Sequence, residues 1–432
     1  MIDMPWFRED NPAVRQFPKR IFHLLLILGL ASVAFAKPAS ARPTHPTHRA
    51  HVAHVQESAH ARRHMAQLRH VRPVVTEQGA VSVRGRSGRV RRASLGRHRS
   101  YEHFSASSFT DSDITQGDVT AGEDPVVRQA AIDALGNMYG TVVAIDPSNG
   151  RILAMVNQKL ALSSGAEPCS TIKVSVALAA LQEGIVTKDT PVNLGGSNRV
   201  NLTEALAKSN NLYFETVGRR LGFERVRHYA NSFGLGELAG WNIPGEQLGI
   251  YPQQVLPESE GGVGRMCSFG QGISMTPLQL GALVASIANG GTLYYLQHPT
   301  TAEEAVNFQP RVKRTLDIAN MIPEVTVGME GAVDYGTARS LHANFSQLPI
   351  LGKTGTCSNN GTRYGWFASF ANTSYGRIVT VFFLEGGRPT FGPKAAELTG
   401  VFYRNLWDHS YFAQKLAAEP VSTTATASGV SQ

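Results

Sequence analysis

Ser170 and Lys173 lie three residues apart in the stretch EPCSTIKVSVALAAL, residues 167–181. An apolar periodic run begins just after Ser170, and Pro168 disfavours a helical conformation for the residue that precedes the proline. Ser170 is therefore predicted at or near a helix N-terminus. Side chains three positions apart share one helical face, which would place the Lys173 amine beside the Ser170 hydroxyl as its base. The plain alternative is an N-cap serine with an exposed lysine one turn later, and this spacing is common by chance.

Two later segments carry polar groups that suit the same chemistry. The stretch LAKSNNLYFETVG, residues 206–218, places Ser209 and Asn211 just before a helical apolar pattern. A plain helix cap is the alternative interpretation there. The stretch LGKTGTC, residues 351–357, is apolar and then Lys-Thr-Gly-Thr. It predicts a strand edge whose glycine lets another group approach the backbone closely.

The three motifs occur in the order S-x-x-K, S-x-N and K-T-G, separated by about 36 and 142 residues. Such a trio, with Ser-Asp-Asn in the middle, marks serine β-lactamases and penicillin-binding proteins. Three further segments, GTVVAIDPSNGRILAMV (140–156), FGQGISMTPLQLGALVASIANGG (269–291) and GPKAAELTGVFYRNL (392–406), carry the likeness beyond the motifs. Residues 121–412 therefore resemble the transpeptidase domain of the penicillin-binding proteins.

The resemblance implies a fold and a set of site residues. The fold is α/β: an antiparallel β-sheet flanked by helices on both faces, plus an all-helical subdomain. The implied site residues are, for catalysis, Ser170, Lys173, Ser209 and Lys353, and, for substrate binding, Asn211, Thr354, Gly355 and Thr356. No cofactor or metal ion is implied, and the sequence has no Cys-x-x-Cys or Cys/His cluster typical of zinc sites.

The resemblance also implies how these residues act. Ser170 attacks the carbonyl of the penultimate D-alanine of a peptidoglycan stem peptide, with Lys173 as general base, and forms an acyl-enzyme. Ser209 relays a proton toward the leaving amine, and Asn211 holds the substrate amide. Lys353 attracts the terminal carboxylate of the peptide.

Binding of the carboxylate and of the developing negative charge completes this scheme. Thr354 or Thr356 hydrogen-bonds the carboxylate, and the backbone N–H groups of Ser170 and Thr356 form the oxyanion hole. An amine from a neighbouring stem peptide then resolves the acyl-enzyme and cross-links the wall. β-Lactams mimic the D-alanyl carbonyl and would trap Ser170.

The sequence therefore predicts a penicillin-binding D,D-transpeptidase, a serine-type acyltransferase. A D,D-carboxypeptidase, in which water replaces the acceptor amine, is the alternative within the same chemistry. A serine β-lactamase is a further alternative, although no dedicated deacylation glutamate is identified. A β-lactam-sensing protein, which would be acylated without turnover, is the alternative from a different functional class.

Two cysteines stand beside the motifs, which is a departure from the family pattern. Cys169 occupies the position before Ser170, where the family often has glycine, and Cys357 follows the K-T-G-T run. Because the two motifs meet in this fold, one hypothesis is a disulfide or redox-sensitive pair beside the site. The alternative is two independent thiols that fill small spaces. Cys267 is expected in the core.

The elements that must position these motifs are visible as periodic patterns. Two apolar β-branched runs flank Asp-Pro-Ser-Asn-Gly and predict a hairpin over 140–157, and a second hairpin is predicted from 364–371 and 377–387. Helices are predicted from about residue 124, over 276–291, and from about Pro393 to Trp407. Strands at both ends of a helical middle predict that the first and last strands share one sheet.

The predicted domain organisation has four parts. Residues 1–36 contain a basic start and an apolar run of about 16 residues, which indicates a signal peptide or an N-terminal membrane anchor. Residues 37–120 are predicted to be a disordered His/Arg-rich linker, 121–415 the transpeptidase domain, and 416–432 a disordered tail. The catalytic domain is expected outside the cytoplasm, periplasmic or anchored in the cytoplasmic membrane.

The basic charge belongs to the linker. The whole chain has a net charge of +8, with 41 Lys and Arg against 33 Asp and Glu. Residues 37–103 alone hold 13 Arg and one Lys against three Glu, so the globular part is mildly acidic. Such a stretch favours anionic lipid head groups or acidic wall polymers. Nucleic-acid binding is not expected, because no aromatic residues interleave with the arginines.

Overall fold

The computed structural model of the protein describes residues 103–373 and 377–418, and the backbone of three short strands before them. These strands, β1 (Pro73–Val75), β2 (Val81–Arg84) and β3 (Val90–Ala93), form an antiparallel sheet of their own. The chain divides into two units, residues 1–98 and 99–432, and this small sheet belongs to the first. The predicted export segment 1–36, most of the predicted linker and residues 419–432 lie outside the described residues.

The strands of the second unit form one large sheet and two small ones. Their bounds are β4 Gly140–Asp146, β5 Arg151–Val156, β6 Val192–Asn193, β7 Arg199–Val200, β8 Thr292–Tyr294, β9 Val312–Thr315, β10 Ile350–Asn359, β11 Thr362–Ala371 and β12 Val379–Gly386. The large sheet is antiparallel with the order β10-β11-β12-β4-β5. Both predicted hairpins are confirmed, and the first and last strands do share this sheet.

Helices make up most of the remaining described chain. They are α1 Pro125–Leu135, α2 Gln158–Ala161, α3 Lys173–Gln182, α4 Leu202–Ala207, α5 Asn211–Leu221, α6 Phe223–Ser232, α7 Gly262–Phe269, α8 Pro277–Ala288, α9 Ala302–Val306, α10 Ile322–Asp334, α11 Gly392–Asp408 and α12 Tyr411–Ala418. Short 3-10 turns lie at Cys169–Ile172, Glu258–Glu260 and Arg339–Ala343. The three predicted helices correspond to α1, α8 and α11.

Alternate residues of the sheet serve two cores. Val142 and Ala144 of β4 pack with α1 and α11 on one face, whereas Val143 and Ile145 pack with α8 and the other helices on the opposite face. This division follows from the two-residue side-chain period of a strand. Helix α8 is buried on all sides between the sheet and those helices, and a capping box of Thr276 and Gln279 closes its N-terminus.

Helices α3 to α7 form the helical part that the resemblance implies. Helix α5 packs on α7, α3 packs on α6, and α4 packs on α10. The fold is therefore the predicted one, an antiparallel sheet with helices on both faces and a helical subdomain. Strand β10, which carries the K-T-G residues, lies at the edge of the sheet next to the 3-10 turn at Cys169–Ile172.

Residues 103–120 correct the predicted extent of the linker. The Asp118 carboxylate pairs with Arg128 at 2.8 Å and accepts the backbone N–H groups of Asn157 and Gln158. The side chain of Ser108 is buried. This segment therefore packs on the domain, because single polar residues find buried partners that its polar composition does not reveal. At the other end, helix α12 runs three residues past the predicted boundary at 415.

Candidate active site

The 3-10 turn at Cys169–Ile172 presents Ser170. It leads directly into α3, whose first residue is Lys173, so the prediction that Ser170 lies at a helix start is confirmed. The Thr171 hydroxyl donates to the Pro168 carbonyl at 2.6 Å and closes the turn. Cys169 has a φ of 51°, a left-handed conformation that favours glycine.

Lys173 is fully buried, and its Nζ contacts three oxygen atoms. These are Ser170 Oγ at 2.6 Å, Asn211 Oδ1 at 2.8 Å and the backbone carbonyl oxygen of Ser268. Burial, reinforced by the nearby positive charge of Lys353, lowers the pKa of Lys173 well below its usual value. The side chain is therefore not the exposed lysine of the plain alternative.

The three contacts of Nζ are compatible with a charged amine and also with a neutral one. The amide oxygen of Asn211 and the carbonyl of Ser268 only accept hydrogen bonds, so they take two N–H groups of the amine in either state. The third contact joins Nζ to Ser170 Oγ at 2.6 Å, where a charged amine donates to the hydroxyl oxygen and a neutral amine can accept the hydroxyl proton instead. Chemically, this arrangement can remove the proton of Ser170.

The Ser-Asn-Asn segment divides between two roles. Asn210 is the N-cap of α5, and its side chain accepts from the backbone N–H of Tyr213. The plain capping interpretation is therefore correct for Asn210. Its neighbours Ser209, with a φ of 55°, and Asn211 both direct their side chains to buried lysines.

Lys353 of β10 is the second buried lysine of the site. Its Nζ donates to Ser209 Oγ and to the Thr354 carbonyl oxygen, both at 3.0 Å. Burial lowers the pKa of Lys353 to about 7. At neutral pH the amine is thus close to its point of half-protonation, and a carboxylate arriving beside it would favour the charged form.

Gly355 lets the edge strand approach the nucleophile turn. A Cβ at this position would lie 2.8 Å from the Pro168 carbonyl oxygen and 3.1 Å from Thr171 Cγ2. The close approach expected at this glycine is therefore present. On either side, the Thr354 hydroxyl hydrogen-bonds that of Thr337 at 2.6 Å, and Thr356 Oγ1 accepts the backbone N–H of Gly392 at 2.7 Å.

The predicted site residues thus meet in one place, although four partners were missed. These are Ser268, Thr337, Gly392 and Glu167. The carbonyl of Ser268 and the N–H of Gly392 act through the backbone, so their side chains carry no signal in the sequence. A cavity of about 630 Å³ adjoins Thr337 and is also lined by Arg339 and Pro393.

Cys169 and Cys357 form a disulfide, with their Cα atoms 5.6 Å apart. The hypothesis of a pair beside the site is confirmed, and the alternative of two independent thiols is wrong. The carbonyl oxygen of Glu167 lies beside both sulfur atoms and accepts the indole N–H of Trp366 at 3.1 Å. Cys267 is buried and carries a free thiol, as expected for a core residue.

Comparison with known families identifies the architecture. The family described as the penicillin binding protein transpeptidase domain matches residues 140–403, more than half of the chain. A chain in the solved structure described as "Structural coordination of polymerization and crosslinking by a peptidoglycan synthase complex" superposes with a TM-score of 0.53 at 23% identity, covering 68% of this chain and 62% of that chain. This likeness concerns the fold alone.

Two curated relatives also match half of the chain or more. Stage V sporulation protein D of Bacillus subtilis is 30% identical in an alignment over 257 residues that covers 50% of this chain and 39% of the relative. Peptidoglycan D,D-transpeptidase PbpA of Mycolicibacterium smegmatis is 27% identical over 340 residues, 61% of this chain and 66% of the relative. The chain thus spans less than two thirds of the length of either relative.

Proposed function

The chain belongs to the family of penicillin-binding protein transpeptidase domains, and from this premise we propose that it is a peptidoglycan D,D-transpeptidase with an acyl-enzyme on Ser170. The observation that carries the proposal is the environment of the Lys173 amine. Its Nζ is within hydrogen-bonding distance of two carbonyl oxygens and, at 2.6 Å, of Ser170 Oγ, and burial lowers its pKa well below the usual value. A buried neutral amine in this position acts as the base for the serine.

Acylation begins when Ser170 Oγ attacks the carbonyl carbon of the penultimate D-alanine. The hydroxyl proton passes to Lys173 Nζ as the bond forms. The backbone N–H groups of Ser170 and Thr356 donate to the oxyanion, and each such donor lowers the barrier by ~3–4 kcal/mol. The C–N bond to the terminal D-alanine then breaks, and its amine takes the proton from Lys173 by way of Ser209.

The K-T-G edge binds the terminal carboxylate of the donor. Lys353 provides the positive charge, because the carboxylate raises the pKa that burial alone holds at about 7. The Thr354 hydroxyl donates to the same carboxylate and is itself positioned by Thr337.

The second half-reaction transfers the acyl group. The amine of an acceptor stem peptide attacks the acyl carbon and gives a proton to Lys173, which returns it to Ser170 Oγ as the ester bond breaks. The product is a cross-link and a free serine. A β-lactam acylates Ser170 by the same first step: the C–N bond of the lactam ring breaks, and the released nitrogen takes the proton but stays tethered to the acyl group.

The setting of the reaction belongs to the same proposal. Peptidoglycan lies outside the cytoplasm, so we assign residues 1–36 to export or anchoring of the domain. In the part of the chain that the structure describes, no helix is both long and apolar enough to cross a membrane. The basic stretch 37–103 would hold the domain near anionic lipid or wall polymer through its net positive charge.

Labelling with a fluorescent penicillin tests the acyl-enzyme. Wild-type protein should be labelled covalently and release the label slowly, whereas Ser170→Ala should not be labelled. The matched control is Ser175→Ala on the same helix, whose hydroxyl donates to the Ile172 carbonyl at 2.9 Å and which should label normally. A wild-type protein that takes no label overturns the proposal.

Product analysis separates the remaining alternatives. With a donor stem peptide and an acceptor amine, a transpeptidase yields the cross-linked peptide, whereas a carboxypeptidase yields only the shortened donor. Rapid release of the penicillin label would instead identify a β-lactamase. Mass spectrometry of the donor products distinguishes these outcomes.

A further inference from the structure

The disulfide directly flanks both backbone N–H groups of the proposed oxyanion hole. Cys169 immediately precedes Ser170, and Cys357 immediately follows Thr356. Although 188 residues separate the two cysteines along the chain, the bond ties the nucleophile turn to the edge strand β10. The relative position of the two N–H groups is therefore constrained covalently on both sides.

The backbone conformation at position 169 is less favourable for a cysteine than for a glycine. Its φ of 51° lies in the left-handed region, where a Cβ is strained and a glycine is not. Cys169 is fully buried, and its side chain is fixed at the sulfur by the bond to Cys357. The tie thus helps to keep an unfavourable backbone conformation directly before Ser170.

The nucleophile turn and strand β10 are closely packed around the disulfide. Gly355 has no room for a Cβ against the Pro168 carbonyl oxygen. The carbonyl of Glu167 lies 3.3 Å from Sγ of Cys169 and 3.7 Å from Sγ of Cys357. Two unbonded sulfur atoms cannot stay at bonding distance, and in these tight surroundings we expect their separation to displace the turn from the strand.

We propose that the Cys169–Cys357 disulfide is a redox-dependent positioning element that holds the oxyanion hole in its active geometry, and that a dithiol reductant switches acylation of Ser170 off. The inference rests on the proposed acyl-enzyme function. A displacement of about 1 Å at a reacting centre lowers a rate by about 10²-fold, so a small relaxation is sufficient.

The exchange chemistry needs one dithiol and no other reactant. A thiolate of the dithiol attacks Sγ of Cys357, which is half-buried, whereas Cys169 is fully buried. The bond to Sγ of Cys169 breaks, and that sulfur leaves as a thiolate and takes up a proton. The second thiol of the reductant then displaces Cys357, which gives a second protein thiol and an oxidised reductant.

The third cysteine does not take part. Cys267 is fully buried in α7, and burial raises the pKa of its thiol to about 12, so it forms little thiolate at neutral pH. Its side chain lies against Gly218 of α5. The redox response of the full chain therefore reports on the single pair.

The test compares oxidised and reduced full-length protein. The chain is reduced with dithiothreitol, the reductant is removed anaerobically, and acylation by fluorescent penicillin is followed at increasing penicillin concentration. Reduction should lower the limiting acylation rate by about tenfold or more, with little change in the penicillin concentration for half-maximal rate. Reoxidation with oxidised glutathione should restore the rate, and Cys267→Ala should respond like the wild type.

Two variants separate positioning from simple stabilisation. Cys357→Ser leaves Cys169 untied and should acylate slowly under all redox conditions. Cys169→Gly also removes the bond, but glycine adopts the left-handed backbone without strain. Its acylation rate should therefore be within about threefold of that of the oxidised wild type and should not change with dithiothreitol. A purely stabilising disulfide would instead lower the melting temperature of both variants without separating their rates.

The outcomes separate this inference from the proposed function. If the oxidised and reduced proteins acylate at the same rate, the redox proposal is overturned while the acyl-enzyme stands. Equal slow rates for Cys357→Ser and Cys169→Gly would overturn the positioning argument. If the oxidised wild type takes no label, the proposed function itself fails.

Discussion

The two buried lysines of the site have different surroundings. Lys173 sits at the start of a helix among three oxygen atoms, and its pKa is lowered well below the usual value. Lys353 sits on an edge strand with two oxygen contacts, one of them the Ser209 hydroxyl, and its pKa is about 7. Burial lowers the pKa of both amines, and the positive charge of Lys353 lowers that of Lys173 further.

This difference suits the two amines to different roles. Lys173 loses its proton easily and contacts the Ser170 hydroxyl at 2.6 Å, which suits a base. Lys353 is close to half-protonated and gains its charge fully when a carboxylate arrives, which suits an anion-binding group. The positive charge of Lys353 in turn helps to lower the pKa of Lys173.

Among the changes to the two lysines, removal of the Lys173 amine should have the largest effect on acylation. Lys173→Met keeps the length and the burial of the side chain but removes the base. We expect the acylation rate constant with fluorescent penicillin, measured by stopped flow at pH 7, to fall by about 10³-fold or more.

Lys159→Met provides the matched control for this change. Lys159 is exposed on α2, so the same substitution there should leave the rate unchanged. A Lys173→Met rate within tenfold of the wild type would show that another group takes the proton.

A negative charge placed beside Lys173 should keep its amine protonated. Asn211→Asp puts a carboxylate at the position of the oxygen that lies 2.8 Å from Nζ, which raises the pKa of Lys173. Since only the neutral amine acts as a base, acylation at pH 7 should fall by about 10²-fold. The rate should recover as the pH rises, by up to about tenfold per pH unit.

Asn210→Asp is the control for the added charge. Asn210 is the helix cap next to Asn211, and aspartate caps a helix as well as asparagine does. This variant should keep the wild-type pH–rate profile. Identical profiles for the two aspartate variants would refute the assignment of Lys173 as a neutral base.

Loss of Lys353 should affect substrates that carry a carboxylate more than those that do not. For Lys353→Met we expect acylation by a D-alanyl-D-alanine donor to fall by about 10- to 100-fold, whereas a donor with a methyl ester should be less affected. In the wild type, binding of the carboxylate donor should weaken above pH 7 as Lys353 loses its proton. Equal losses for both donors would contradict the anion-binding role.

The same variant tests the charge state of Lys353 through stability. The pKa of Lys353 is about 7 in the folded protein and about 10.4 in an unfolded chain, so between these values only the unfolded chain holds the proton. The free energy of unfolding of the wild type relative to Lys353→Met should therefore rise with pH from 7 to about 10 and stay flat below 7. Urea titrations at several pH values measure this difference.

The smallest effect is expected at the support of the K-T-G edge. Thr337→Val removes the hydroxyl that bonds Thr354 but keeps the shape of the side chain. We expect donor affinity to fall by about fivefold, in line with one hydrogen bond of about 1 kcal/mol. Thr326→Val, on α10, removes a hydroxyl bonded to a helix carbonyl and should leave affinity unchanged.

Much of the fold was predictable because local patterns agree with it. The hairpin over 140–157 and the helix α8 have turn and capping residues at the positions that the periodicity requires. Residues 103–120 were not predictable in this way. Their place on the domain depends on single contacts such as the Asp118–Arg128 ion pair, and composition carries no information about such contacts.

The candidate site was predictable as a set of residues but not as a network. The Ser268 carbonyl has no side-chain signature, and Asn210 and Asn211 are the same residue type with different roles. The disulfide could only be one of two hypotheses, because sequence spacing does not determine whether two sulfur atoms meet. Each of these points depends on distance in space.

The chemical groups of the site and their order can be read from the sequence: the Ser170 hydroxyl, the amines of Lys173 and Lys353, and a glycine where close approach is required. Only the folded chain shows that both amines are buried, which oxygen atoms surround each, and that both pKa values are lowered. The physical reason is that pKa values depend on burial and neighbours, and the partners of Lys173 come from 38 and 95 residues farther along the chain.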